Sequence, residues 1–491
     1  MKKVLLSIVA LLMLAIGGAL LYVATIDLNS YKPQITQAVK DASGLELVIE
    51  GDIAPSLSPV GVSIQGVKVS NPSGFDKNPF FTLKRFDVAV ELMPLFHKEV
   101  KVKYVELSDI DIVIIKSAKG TMNVETKAKP AAKPATPSGD GAKTQLPLVL
   151  VDKVLLSNVN ITYNDLATKA KATINDVDIV VTNINFDAKK EGLKAVAFDG
   201  TLDVAEVVYD KYAISKIAGS FTLKEAVTTV GKLEYSIFKS RATGSAVIDL
   251  SGTVPKIALK EKIPALDLSV LAKTLAEKDL LEGTVDTTVD LSFAGQDAKA
   301  IQKTLTGTVG IVGKSVGVIG YDLDKVLGQY DKTQKMDAVD IGAFLVAGPV
   351  GTLLTKGGDV SGAFEGMKGG KTLLKDVVLK TDIAKGIAML SDVALATSKN
   401  RLAIKGALDL PNERFNEVSV GVLDVQGCAT YSQTITGTFT KPGIKVDEAA
   451  VSQVTNMVGS LFGKVKGIVG DTKKKECTSP FYKGSVVHPV K

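Results

Sequence analysis

The chain has 491 residues, with Lys+Arg 59 against Asp+Glu 53 interspersed along it, so no concentrated basic face is available for nucleic acid. Hydrophobic residues make up 45% but aromatics only 5%, with no Trp, so Val, Leu, Ile and Ala carry the apolar load and strands with β-branched faces are favoured. Two histidines, His97 and His488, leave little for histidine chemistry, and two cysteines suit one disulfide rather than a disulfide framework.

Residues 4–24, VLLSIVALLMLAIGGALLYVA, contain no charge. A helix of that length spans an apolar bilayer core of about 30 Å and satisfies its own backbone. Lys2 and Lys3 precede it and Asp27 is the first charge after it, which keeps the lysines on the cytoplasmic side. The run exceeds a signal-peptide core, and Tyr22-Val23-Ala24 is a poor cleavage site, so an uncleaved anchor is expected, with the rest of the chain exported. Next, Asn29 or Ser30 can cap a helix with Pro33 in its first turn and Ile35 and Val39 on one face, stopped at Gly44.

Strand alternation follows. Leu45, Leu47 and Ile49 alternate with acids, and VGVSIQGVKV ends at the turn set Asn71-Pro72-Ser73-Gly74. From Phe80 to Lys116 the alternation is clearest, with Val102 and Tyr104 on one stripe and Ile112 and Ile114 on the next, which predicts antiparallel sheet with one wet face. Residues 126–145, rich in Lys, Pro and Ala, read as a disordered loop or linker. Strands then recur to Leu250, a helical stretch is predicted over 263–281, and Val289, Leu291 and Phe293 share the next strand face with Val285. A second helical insertion is expected near 320–355, before strands that include the stripe Val418, Val420, Val422. The terminal helix, 448–469, places Val451, Val454, Val458, Leu461, Phe462, Val465 and Ile468 on one amphipathic stripe ahead of the run Lys473, Lys474, Lys475. It either packs on the last strands or meets an anionic membrane surface.

Catalytic motifs are weak. The segment Gly366 to Thr372 misses phosphate-loop spacing by one residue and leads into a strand. The paired acids Asp109/Asp111 and Asp322/Asp324 could suggest metal ligands or glycosidase carboxylates, but the first pair alternates with isoleucines as the wet face of a strand would. No nucleophile elbow is present. A non-enzyme without cofactor or metal is therefore expected. Cys428 and Cys477, the only cysteines of an exported chain, are expected to pair around the terminal helix, closing a loop of about fifty residues worth about 4 kcal/mol.

The order of several motifs resembles the AsmA family of bacterial envelope proteins. The N-terminal anchor is followed by IDLNSYKPQITQAV, Ser43-Gly44-Leu45 and LELVIEGDI, then by SPVGVSIQGVKVSNPSGF and VLLSNVNITYND. Later matches are GQDAKAIQKTLTGTVGIV, GYDLDKVL and TITGTFTKPGIKV. The likeness is strongest at both ends and weak between Lys190 and Lys260, and the Lys/Pro linker after Asn123 departs from the pattern. It implies a protein of the bacterial inner membrane with one N-terminal span and its bulk in the periplasm. The expected fold is mainly β with few helices. It comprises an anchor (1–25), a helix plus β-meander (26–125), the linker (126–145), an elongated, curved antiparallel sheet or groove (146–446), and a terminal helix and tail (447–491).

Two functions fit. In the first, apolar stripes at Val102, Tyr104, Ile112, Ile114, Val289, Leu291, Phe293, Val418, Val420 and Val422 line a groove for phospholipid chains carried between envelope membranes, supporting outer-membrane lipid homeostasis. In the second, the sheet has a closed core and the protein is an assembly factor contacting outer-membrane or periplasmic proteins. With few aromatics and few helices to cover them, those stripes must face one another, curl into a groove or stay exposed at a cost.

Overall fold

A computed structural model describes residues 27–43, 45–57, 59–95, 101–124, 151–187, 189–325, 327–328, 368–446 and 479–489. The expected anchor (4–24), the linker (126–145), the terminal helix with its apolar stripe, and Cys477 lie outside the described residues. Among the described residues no helix is long and apolar enough to cross a membrane. They are mainly β with few helices, as the aliphatic, aromatic-poor composition predicts.

The chain divides into two compact units, Met1–Val230 and Gly231–Lys491. In the first, a 3-10 turn (Leu28–Tyr31) capped by the Asp27 carboxylate leads into a helix (Lys32–Ser43). Asn29 accepts instead from the backbone N–H of Ile53 at 3.0 Å, tying this turn to the sheet. The strands are β1 (Leu47–Ile49), β2 (Ile53–Leu57), β3 (Val60–Ser70), β4 (Pro79–Val90), β5 (Val102–Lys116), β6 (Lys153–Asp165), β7 (Lys171–Phe186), β8 (Val196–Tyr209) and β9 (Tyr212–Lys224). β1 and β2 both pair with β3, and β3 through β9 pair in sequence. All pairs are antiparallel except β5 with β6, which is parallel. A parallel pair needs its connection to travel back along the sheet. The Lys/Pro-rich stretch 126–145, outside the described residues, lies in sequence between these two strands.

The unit boundary falls within β10 (Val227–Ile237). The second unit contains β11 (Ser240–Asp249), β12 (Lys256–Asp267), β13 (Leu281–Glu282), β14 (Thr284–Ala294), β15 (Thr306–Tyr321), β16 (Lys368–Ala384), β17 (Ile387–Ala396), β18 (Arg401–Asp409), β19 (Arg414–Leu423), β20 (Ala429–Gly437) and β21 (Pro442–Val446). Every pairing described from β11 to β21 is antiparallel, and none joins β11 to β21, so the sheet of this unit stays open among the described residues.

The predicted helix over 263–281 is shorter than its apolar periodicity suggested. β12 runs on to Asp267, because Ile263 pairs with Thr287 and Leu266 with Val285 across a bulge at Ala265. The helix is Leu268–Ala276, capped by Asp267 accepting from the N–H groups of Ser269 and Val270 and ended by Glu277 in the left-handed region. Its Leu268, Leu271 and Ala272 pack with Leu323 and Leu327 onto one face of the sheet.

The other face of β16–β19 is covered by the C-terminal strap, residues 479–489. Phe481, Tyr482 and Val486 pack on Val378, Ala394, Ala396, Ala403 and Leu423. The strap is pinned by Arg401, which donates to the carbonyls of Val486 (3.1 Å) and Asp424 (2.7 Å), and by Asp392, which accepts from Tyr482 Oη (2.5 Å) and Ser485 Oγ (2.8 Å). Gly427, at φ 86°, lets the strap approach, since a Cβ there would lie 2.4 Å from the Tyr482 carbonyl oxygen. Nearby Cys428 is buried and disulfide-bonded. Intact protein isolated oxidised is expected to resist thiol alkylation until reduced, and peptide mapping should join Cys428 to Cys477; two alkylated cysteines before reduction would contradict this.

Candidate functional site

Cross-strand register turns the alternation of the first unit into continuous apolar rows. Ile49, Val67, Leu83, Ile110, Val159, Val177, Val204 and Ile217 stand directly opposite one another on eight strands. One step along the strands, the same holds for Leu47, Val69, Phe81, Ile112, Ile161, Ile174, Val207 and Ile214. On the other side lie the rows Ile53, Ile64, Phe86, Leu107, Leu156, Ile179, Leu202 and then Val62, Val88, Val105, Val154, Val181. Paired positions share a face, so the four rows form one apolar surface. Its packed cluster draws every member from strands, and only six are buried against fourteen that are half-buried. A sealed core would bury most of them; this surface is accessible.

Each of β3 to β9 also makes one three-residue step between apolar positions, such as Leu107 to Ile110 and Leu156 to Val159. The surplus residues fall on the polar face, and several are left-handed: Gly66, Asp109 (φ 57°), Asn158 (φ 52°), Asp176 (φ 52°) and Lys216. Asn and Asp tolerate that region, and their side chains pair the groups the ladder leaves open. Asn158 donates its N–H to Asp178 (2.9 Å) and its amide to Asp109 (2.5 Å), while Asn160 Oδ1 accepts from the N–H of Asp176 (3.0 Å). A line of bulges that adds backbone to the polar face alone bends the strands toward the apolar one.

The bulge at Asp109 separates the two stripes expected on β5. Ile112 lies in the apolar cluster and Ile114 in the next row of the same face. Tyr104 stands opposite Ala89, alternating with the pairs Glu106 with Asp87 and Ser108 with Arg85, so it belongs to the polar face; Val102 is buried outside the cluster. In the second unit Val418 and Val420 are buried, and Val422 half-buried, in a packed core under the helix Leu268–Ala276. Val289, Leu291 and Phe293 share the face of buried Val285 but remain half-buried beyond that core, opposite Glu261, Leu259 and Ile257. The acids take structural roles: Asp111 accepts from Thr82, and Asp324 accepts from Thr397, Ser398 and Asn400. Lys371 of the failed phosphate loop is paired with Glu282, and Thr372 bonds the backbone at Tyr321 and Leu323. Among the described residues no cluster of three or more His, Cys, Asp or Glu is placed to hold a metal.

The chain segment that builds β1 to β7 also carries the family signal. Residues 1–190 match the AsmA family. No curated protein matches the chain significantly. The AsmA match thus covers the apolar segment 4–24 and the strands up to β7, with most of the accessible apolar face, whereas the packed core of the second unit lies outside it.

One polar group on the apolar register was legible in the sequence and overlooked. In KIALKEKI, Glu261 occupies the position between Leu259 and Ile263 that alternation reserves for an apolar residue. Its carboxylate lies over Gly244, where a Cβ would come within 2.1 Å of Oε2, and accepts from Tyr235 Oη at 2.9 Å. Burial pushes this carboxyl up against the opposing hydrogen bond, and burial with the Glu261 contact pushes the Tyr235 phenol up. At the strap, burial pushes Asp392 up, but hydrogen bonds from Tyr482 and Ser485 and the charge of Lys380 outweigh it and hold the carboxyl below the ordinary value. A depressed carboxyl stabilises the folded form above its unfolded pKa, about 3.9, and that contribution is lost as pH falls through the folded value. Hydrogen exchange of the strap is therefore expected to loosen below about pH 4, with Asp392→Asn removing the acid-dependent step. Equal acid dependence in wild type and variant would contradict the assignment.

Proposed function

We propose that this protein is anchored in the bacterial inner membrane through residues 4–24 and shields phospholipid acyl chains on the apolar face of its first unit, passing them between envelope membranes. The observation that carries this reading is the set of four registered apolar rows, drawn from strands alone, of which one is mostly buried and the other three are mostly half-buried. Such a surface is costly in water, and each CH₂ laid on it contributes about 0.8 kcal/mol. Aliphatic rows present no directional groups, so a chain can slide along them. The role is carriage, with no chemistry on the lipid and no cofactor. The AsmA match over 1–190 agrees with an envelope protein of this type.

A second reading, an assembly factor for outer-membrane proteins, draws on the packed core holding Val418, Val420 and Val422. The two readings separate in a transfer assay. Full-length protein reconstituted in donor vesicles is expected to accelerate movement of a fluorescent phospholipid to acceptor vesicles. Transfer at the protein-free rate would favour the assembly role.

A further inference from the structure

The apolar side of the second unit changes character halfway along β12. Toward one end, Ile263 and Leu266 pack in the core under the helix Leu268–Ala276. Toward the other, the registered rows Ala246, Leu259, Leu291 and Ile248, Ile257, Phe293 are half-buried and lie outside that core. Glu261 stands at the boundary on the same face, opposite Gly244 on β11 and Val289 on β14. Its strand neighbours Lys260 and Lys262 alternate to the other face, where Lys260 pairs with Asp290 at 3.0 Å.

The Glu261 carboxylate is sunk into this surface. Gly244 has no side chain, and both carboxylate oxygens lie 2.5 Å or less from where its Cβ would be. Tyr235 Oη donates to Oε2 at 2.9 Å; among the described residues no donor reaches Oε1 and no cation pairs with the group. Burial raises its pKa against the Tyr235 hydrogen bond. An acid held at this depth without a cation is costly, and a positive group brought to it would hold it ionised. Depth also restricts the cation. An ammonium with N–H donors can hydrogen-bond to Oε1, whereas a quaternary head carries no N–H and is attracted only at longer range.

We infer that Glu261 and Tyr235 form a recognition site for the primary ammonium of an aminophospholipid whose chains lie on the rows of Leu259, Leu291, Ile257 and Phe293. The carboxylate selects the amine, and the apolar rows that begin at the next position on the same face select an amine that carries chains. The choice of a phospholipid rests on the lipid-shielding reading above, which this site extends to the second unit.

The test is zero-length coupling. Full-length protein is treated with a water-soluble carbodiimide and either dihexanoylphosphatidylethanolamine or ethanolamine at the same concentration, and the amides formed are mapped by mass spectrometry. Glu261 should couple to the phospholipid about tenfold more than to ethanolamine, while exposed Asp382, on the polar face of β16, should couple to both alike. Leu291→Gln should cut the phospholipid adduct at Glu261 about fivefold and leave the ethanolamine adduct unchanged. In calorimetric titration, Glu261→Gln, whose amide oxygen still accepts from Tyr235, should weaken dihexanoylphosphatidylethanolamine about tenfold and leave dihexanoylphosphatidylcholine unchanged. Equal coupling of phospholipid and ethanolamine at Glu261 would overturn the inference and indicate a site for small free amines. So would the absence of any adduct there while Asp382 couples, or an equal effect of Glu261→Gln on both phospholipids. Coupling at Glu261 in a protein that fails to move lipid between vesicles would leave this site standing and remove the shielding reading; transfer without coupling would do the reverse.

Discussion

Replacing Ile161 by glutamate is expected to abolish lipid carriage while the protein stays folded. Ile161 is half-buried in the second apolar row, between Ile112 and Ile174, where a charge can reach solvent in the empty protein. With acyl chains laid over it, the same charge faces hydrocarbon, at a cost of about 3 kcal/mol, or roughly a hundredfold in occupancy. Fully buried Ile110, 4% exposed, is the wrong site for this experiment, because a charge there would unfold the sheet before any lipid is considered. Thr162→Glu, one residue along on the polar face opposite Val113 and Thr173, should leave transfer unchanged. The readout is vesicle-to-vesicle transfer by each variant alongside its circular dichroism. Equal transfer by Ile161→Glu and wild type would remove the apolar face from the mechanism.

Leu402→Ala should have the largest effect on stability with no effect on carriage. Leu402 is 1% exposed and stands in a registered row with Leu266, Val285, Val377, Leu395, Val422 and Tyr431. Its neighbour Arg401 points to the opposite face, which the strap covers, so the sheet here has little room to collapse into a cavity. A loss of about 2–5 kcal/mol follows for a leucine truncated in such a site. Denaturant unfolding of the full chain checks it. A change below 1 kcal/mol would mean that the core is looser than its burial indicates.

How far this was legible in the sequence differs from strand to strand. Alternation alone identified β14 and β19 and the apolar side of each, and on β5 the side of Ile112 and Ile114, because side chains on a strand have a period of two. It failed at Asp109, where one left-handed residue moved Tyr104 to the face opposite Ile112. A bulge carries a weak local signal, here an Asp or Asn within a β-branched run, and the signal is read only once the partner strand supplies the matching Asn158. The rows themselves were beyond reach, since they depend on register between strands up to forty-nine positions apart, including the parallel pairing of Ile110 with Val159. A row holding three tyrosines was hidden for the same reason: Tyr163, Ala172, Tyr209 and Tyr212 stand opposite one another only once β6 to β9 are aligned. Glu261 was readable as an acid on an apolar register. The packed core at Val418 and Val420 was not, because no periodicity on β19 reveals that the helix Leu268–Ala276 contributes to the same cluster.

The central claim, that phospholipid chains lie on the apolar face of the first unit, is tested most directly by photo-crosslinking in the native membrane. A photoreactive residue is placed at Ile161 or at Thr162 of the full-length chain, and adducts are identified by mass spectrometry. The two positions share the same strand and depth and differ only in face, so nonspecific contact with lipid would label both. Phospholipid adducts at position 161 and none at position 162 are the expected result; equal labelling of the two positions, or no lipid at either, would contradict it.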